Sequence, residues 1–146
     1  MGKKRIITTQ GESPASENQT ASSASKKSVK RQVLNGVAHV SVSYNNTSVT
    51  ITDMKGEVIS WSTAGSLGFK GTKKSTPYAA NLIAKDSIEK AKKYNLMNLK
   101  IVVRGVGPGR EAAIRGLASS GLNIISIMDS TPIAHNGVRR KKPRRV

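Results

Sequence analysis

Apolar and polar residues alternate from the first recognisable element of this chain. Ala38, Val40, Val42 and Tyr44 alternate with His39, Ser41 and Ser43, and beyond Asn45-Asn46 a second alternation sets Val49 and Ile51 against Ser48, Thr50 and Thr52. A period of two marks strands buried on one face, and an Asn-Asn pair tolerates positive φ, so the segment predicts a β-hairpin. Met54-Lys55-Gly56 predicts the next turn, and Glu57 to Ala64 a third strand carrying Val58, Ile59 and Trp61. The period then lengthens. Thr76 supplies a capping hydroxyl, Pro77 suits a first helical position, and Ala80, Ile83, Ala84, Ile88 and Ala91 recur at helical spacing to about Tyr94. Leu99 to Val103 is a near-continuous apolar run, the pattern of a strand covered on both faces. Gly105 to Gly109 leads into a helix from Arg110 to Ser120, with Ala113, Ile114, Leu117 and Ala118 inward, which Gly121 stops. Asn123 to Met128, with Ile124, Ile125 and Ile127, predicts the last strand. The order β-β-β-α-β-α-β predicts an α/β domain, a mixed sheet with helices packed on it.

Charge divides the chain further. Its 146 residues hold 25 Lys and Arg against 8 Asp and Glu, a formal charge of +17. Residues 1–31 contribute +5, residues 32–134 contribute +6 and residues 135–146 contribute +6, so the two tails hold most of the charge. The first tail, a run of Ser, Thr, Gln, Asn, Ala and Glu from Thr8 to Ser28, cannot bury enough apolar surface to offset its ordering entropy and is expected to be disordered. The second, HNGVRRKKPRRV, has no apolar face and is expected to order only on a surface of opposite charge. Three units follow: a Ser/Thr-rich basic extension over 1–31, an α/β domain over 32–134 and a basic tail over 135–146.

Composition also excludes function classes. Without cysteine there is no disulfide framework, thiolate metal site or cysteine nucleophile. The start, MGKKRIITTQ, lacks the apolar region of a signal peptide, and no stretch reaches the roughly 20 apolar residues of a membrane span. Ile6 stands where a myristoylation motif needs Ser or Thr, and Glu12 and Glu17 argue against a transit peptide. A soluble, cytosolic chain is expected. The element order is also that of ribonuclease H-like enzymes, whose two-metal chemistry needs carboxylates converging at strand ends. Here the first strand offers His39, serines and Tyr44, and the fourth Lys100 and Arg104; Asp53 and Asp129 each end a strand and read as turn formers. Thr72 follows Gly71 where the G-x-x-x-x-G-K-(S/T) phosphate cradle needs Lys, and Gly105, Gly107 and Arg110 miss the dinucleotide pattern. No catalysis, metal, cofactor or small-molecule substrate is expected.

Nucleic-acid binding is what remains. In GSLGFKGTKKSTPYAA, residues 65 to 80, Gly65, Gly68 and Gly71 remove side chains where a backbone must come close to a partner, while Lys70, Lys73 and Lys74 supply charge. Ser75 and Thr76 add hydroxyls beside a helix N-terminus, which favours phosphate. The bland reading of the same stretch is a crossover loop with a helix cap. Phe69 either stacks on a base or pins the loop to the core. Gly105 to Arg110 repeats the device, with Arg110 either taking phosphate oxygens or merely solvated or paired with Glu111. His39 and the lysines at 85, 90, 92 and 93 read as exposed surface. Arg139, Arg140, Lys141, Lys142, Arg144 and Arg145 place six cations in seven positions and have little structural use. Asn136-Gly137 has no Cβ shielding the following amide, so Asn136 is a candidate for isoaspartate formation.

Four consecutive blocks, GVAHVSVSYNNTSVTITDMKGEV, GFKGTKKSTPYAA, GVGPGREAAIRGL and DSTPIAHNGVRRKKPRRV, resemble the bacterial-type small-subunit ribosomal protein eleven family, from about Val33 to Val146. The resemblance implies a ribonuclease H-like α/β domain without catalytic carboxylates, bound to the central domain of 16S-type ribosomal RNA on the platform. It also implies small-subunit proteins seven and eighteen as neighbours, a place lining the cleft for the Shine-Dalgarno duplex of messenger RNA, and a cytoplasmic ribosome ahead of a plastid one. RNA contact is carried onto Lys70, Lys73, Lys74, Ser75, Arg110, His135, Asn136 and the tail from Arg139 to Arg145. Residues 1–30 are longer and richer in Ser than the family's usual arm, and Ala134 stands where a proline is common. The alternative from another class is a free-standing basic nucleic-acid chaperone, which would bind any polyanion rather than a folded RNA junction.

Overall fold

The structure is a computed structural model and describes residues 32–142. The extension expected over 1–31, and Arg144 and Arg145 of the tail, lie outside the described residues. Strands β1 (Asn35–Val42), β2 (Thr47–Asp53) and β3 (Val58–Thr63) are followed by a 3-10 turn (Gly71–Ser75), helix α1 (Pro77–Lys92), β4 (Asn98–Arg104), α2 (Arg110–Ala118) and β5 (Asn123–Asp129). This is the predicted order, in one five-stranded mixed sheet arranged β3-β2-β1-β4-β5.

Strand β1 is the middle of the sheet. It pairs antiparallel with β2, Val40 opposite Val49, and parallel with β4, Val40 opposite Val103. The connections β3 to β4 and β4 to β5 both join parallel strands and both carry the chain the same way across the sheet. Right-handed crossover therefore places α1 and α2 on one face. There α1 packs on β2 and β3 and against α2. The core lies beneath the helices, where Val40, Val49, Ile51, Leu99, Ile101 and Val103 meet Ile83, Ile88 and Leu117, all fully buried.

The opposite face carries no helix, which corrects the reading of β4 as covered on both sides. Leu99, Ile101 and Val103 are buried, but Lys100 and Val102 between them are only half-buried. An apolar run in sequence thus supplied one buried face and one partly open one. On that open face Trp61, Thr50, His39, Val102 and Met128 stand in register across all five strands.

Further details differ from the sequence reading. Tyr44 is not an inward strand residue: β1 ends at Val42 and Tyr44 is 74% exposed. Ser43 ends the strand, its Oγ accepting from the Asn46 amide at 3.1 Å while its own N–H donates to the Asn46 carbonyl at 2.9 Å. Neither Asn45 nor Asn46 takes positive φ, so the side chain of Ser43 makes this turn rather than an Asn backbone. In β3 the buried residues are Ser60 and Ser62, while Val58 and Trp61 are exposed. Ser60 donates to the Ser87 carbonyl at 2.8 Å and Ser62 to Asp86 Oδ2 at 2.6 Å, so β3 docks on α1 through satisfied hydroxyls as well as apolar contact. In α2, Ala118 is exposed and Gly116 buried instead. A Cβ on Gly116 would stand 2.6 Å from Asn81 Oδ1 and 2.9 Å from Ala84 Cβ, so the two helices touch where that side chain is missing.

Candidate nucleic-acid interface

β1, β3, β4 and β5 all run toward one end of the sheet, so Thr63, Arg104 and Asp129 finish there. The three segments that the sequence singles out each leave from that end: the glycine-lysine loop after β3, Gly105 to Arg110 after β4, and the tail after β5. Between the first turns of α1 and α2 lies a cleft of about 610 Å³, lined by Pro77, Tyr78 and Asn81 on one side and Gly107, Pro108, Arg110 and Arg115 on the other. In open sheets with parallel strands, ligands bind beyond these carboxyl ends.

Within the first loop, Leu67 and Phe69 turn inward and pack against the core. The Phe69 amide also donates to the Ala64 carbonyl at 3.0 Å, so Phe69 pins the loop. Its ring meets Tyr78 edge-on, with centroids 6.3 Å apart and planes at 81°. Lys70 and Lys73 are exposed and Lys74 half-buried, and no carboxylate pairs with them among the described residues. Ser75 donates to the Thr72 carbonyl at 3.3 Å, closing the 3-10 turn. Thr76 Oγ1 accepts from the Ala79 amide at 3.3 Å, the cap that the sequence predicts.

The second loop has a different construction. Its glycines are packing positions: at Gly105, φ is +96° and a Cβ would lie 2.0 Å from the Val42 carbonyl oxygen. At Gly109 a Cβ would lie 2.4 Å from Thr47 Oγ1. No side chain caps α2. Arg110 is paired, but with Asp129 and not with Glu111. Its Nη2 donates to Asp129 Oδ2, and its Nη1 donates to the Gly105 carbonyl at 2.7 Å and to Thr131 Oγ1 at 3.4 Å. Asp129 Oδ1 accepts from the Thr131 hydroxyl at 2.6 Å and from its amide at 2.9 Å. The Thr131 hydroxyl, then Arg110, hold the Asp129 carboxyl at about 2, well below the usual carboxylate range. Asp53 and Asp129 are both turn residues, as the sequence predicts, since Asp53 Oδ1 takes the Met54 amide at 2.6 Å. Sequence reasoning missed the counter-ion role of Asp129, because its partner lies 19 positions away.

Glu111 is occupied by Arg115 at 3.0 Å. Among the described residues, Asp129 and Glu111 at this end are therefore each paired with an arginine of the fold, leaving Lys70, Lys73, Lys74 and the exposed Arg104 as surplus positive charge. The tail leaves from Thr131, and His135, Asn136, Arg139, Arg140, Lys141 and Lys142 are all exposed and free of helix or strand. Asn136 has φ +54° immediately before Gly137. Among the described residues no cluster of His, Asp or Glu could hold a metal ion, and no helix is long and apolar enough to cross a membrane.

These features define a class: a small α/β domain that presents cations, glycine-rich backbone and an uncapped helix start at one end of a mixed sheet. A sequence model described as ribosomal protein S11 matches residues 36–145. The chain is 54% identical over 125 residues to the small ribosomal subunit protein uS11 of Wigglesworthia glossinidia brevipalpis, covering 86% of this chain and 95% of that protein. It is 52% identical over 121 residues to uS11 of Buchnera aphidicola subsp. Cinara cedri (strain Cc), covering 83% and 93%. The chain belongs to the ribosomal protein S11 family, which is structural and not enzymatic.

Proposed function

We propose that the protein is a structural component of the small ribosomal subunit that binds 16S-type ribosomal RNA with the carboxyl end of its sheet. One observation carries this reading: three cationic segments, separated by dozens of residues in sequence, leave from the same end of the sheet while the carboxylates there are tied up. Lys70, Lys73 and Lys74 neutralise phosphates beside a loop whose glycines leave backbone open. Ser75, whose hydroxyl closes the 3-10 turn, shapes the lysine loop for that contact, and the first turn of α2, which no side chain caps, adds amide donors. Arg110, engaged by Asp129, shapes the second loop and offers its remaining N–H groups to the RNA. His135, Asn136 and the cations from Arg139 to Arg145 follow RNA away from the domain, with residues 32–134 as the folded body. The same reading places the chain on the platform, against the central domain of the RNA, beside proteins seven and eighteen and along the cleft for the Shine-Dalgarno duplex, in the ribosome of the cytoplasm.

Filter binding tests it. At about 0.15 M salt, where weak long-range attraction is screened, labelled central-domain RNA is competed with an unrelated structured RNA. A clear preference for central-domain RNA is expected. Equal competition would overturn direct recognition of that RNA and favour a general basic chaperone.

A further inference from the structure

We propose that the cleft between α1 and α2 is a subsite for one unpaired base of the bound RNA, stacked on Tyr78 and held at its edge by Asn81. The inference rests on the RNA-binding reading above and deepens it.

Tyr78 is 68% exposed at the mouth of the cleft, off the apolar stripe that buries α1. A large ring on the solvent side of a helix contributes little to folding. This one is nonetheless held in place, because half-buried Phe69 meets it edge-on. An edge-on contact occupies at most one face of Tyr78, so another face is left for a partner. Holding the ring beforehand lowers the entropy lost on stacking. Phe69, the ring that the sequence offers for stacking, instead acts as the support.

Asn81 lies three residues further along α1, on the same side of the helix, and also lines the cleft. Its amide has no hydrogen-bond partner among the described residues, although the carbonyl oxygen lies beside Gly116. With Oδ1 packed against Gly116, the amide nitrogen is the group left to donate to an acceptor on a base edge. Lys73 and Lys74 stand just before the first turn of α1, and Arg115 lines the far wall. Cations, a ring face and a free amide match the phosphate, the face and the edge of a nucleotide. Glu111 on the same wall is already paired with Arg115. The base must be unpaired, since a base inside a duplex has both faces stacked.

The test uses the full chain and central-domain RNA, with affinity measured across a range of salt. Tyr78→Ala is expected to weaken binding by about 5- to 150-fold, the usual loss for one base-aromatic stack. Tyr78→Leu should lose nearly as much, Tyr78→Phe should bind as the unsubstituted chain does, and Asn81→Ala should show a smaller loss. The slope of affinity against salt should not change, because no phosphate contact is removed. Ultraviolet irradiation of the complex should crosslink Tyr78 to a base. If the unsubstituted chain prefers central-domain RNA and Tyr78→Ala binds it equally well, the subsite alone is overturned. If the unsubstituted chain has no preference, the RNA reading fails and the subsite with it. A flattened salt slope in Tyr78→Ala would also overturn the proposal, because it would mean that the ring only positions the lysine loop. Circular dichroism and thermal midpoints of the Ala and Leu variants that match the unsubstituted chain show that a loss of binding is not a loss of fold, and Tyr78→Phe shows whether the ring suffices.

Discussion

Gly105 and Gly71 both have positive φ, yet they need glycine for different reasons. At Gly71, with φ +58°, nothing lies within 4 Å of an added Cβ, so only the left-handed backbone opposes a side chain. At Gly105 an added Cβ would collide with the Val42 backbone at the end of the central strand. Gly71→Ala should therefore cost about 1 kcal/mol, the usual left-handed penalty. Gly105→Ala should cost several times as much, because β1 must move. Urea denaturation of the two variants checks this, and equal losses would contradict the packing account. The sequence shows only two glycines in loops; the distinction depends on where Val42 ends, which no local pattern states.

Among the elements, β5 and α2 are joined by the Arg110, Asp129 and Thr131 cluster, which fixes the root of the tail against the start of a helix. Since the carboxyl of Asp129 is depressed to about 2 in the folded chain, its contribution is complete above the ordinary carboxylate value near 4 and fades only as pH falls toward 2. Carboxyl NMR should give a midpoint near 2 for Asp129, with the Gly105 amide keeping its native shift at pH 4; a midpoint near 4 would mean the cluster is open in solution. The elements themselves were largely legible. Alternation located β1 and β2, and the Thr76-Pro77 pair located the start of α1, because these signals act over a few residues. The inward faces of β3 and β4 were not legible in the same way. Ser60 and Ser62 are buried because Ser87 and Asp86 of α1 receive their hydroxyls. Val102 is half open because both crossovers turn the same way. Each depends on a neighbour brought in by topology.

For the whole molecule, charge was the legible part of the site and its gathering in space was not. Three basic segments could be read from composition, but nothing in their spacing says that β3, β4 and β5 end together. The tail holds six of the cations. Removing Arg139 to Arg145 should flatten the dependence of RNA affinity on salt by about 0.7 to 0.9 for each phosphate that the tail neutralises, measured as the slope of log affinity against log salt. An unchanged slope would mean that the tail neutralises none.

The central position of β1 also sets an order of events during synthesis. Its partner β2 follows after a four-residue turn, so the antiparallel half of the sheet can close early by short-range pairing. Its other edge must wait for β4, more than fifty residues later, and β5 comes last. Until then a nascent chain carries an open edge along its middle strand. The Gly105 loop gains its last ties, at the Gly105 amide and at Arg110, when Thr131 and Asp129 arrive. A chain cut short before β5 would keep the lysine loop but lack the Asp129 and Thr131 partners of the second loop, so truncated products should compete poorly with the finished protein for the RNA that it is proposed to bind.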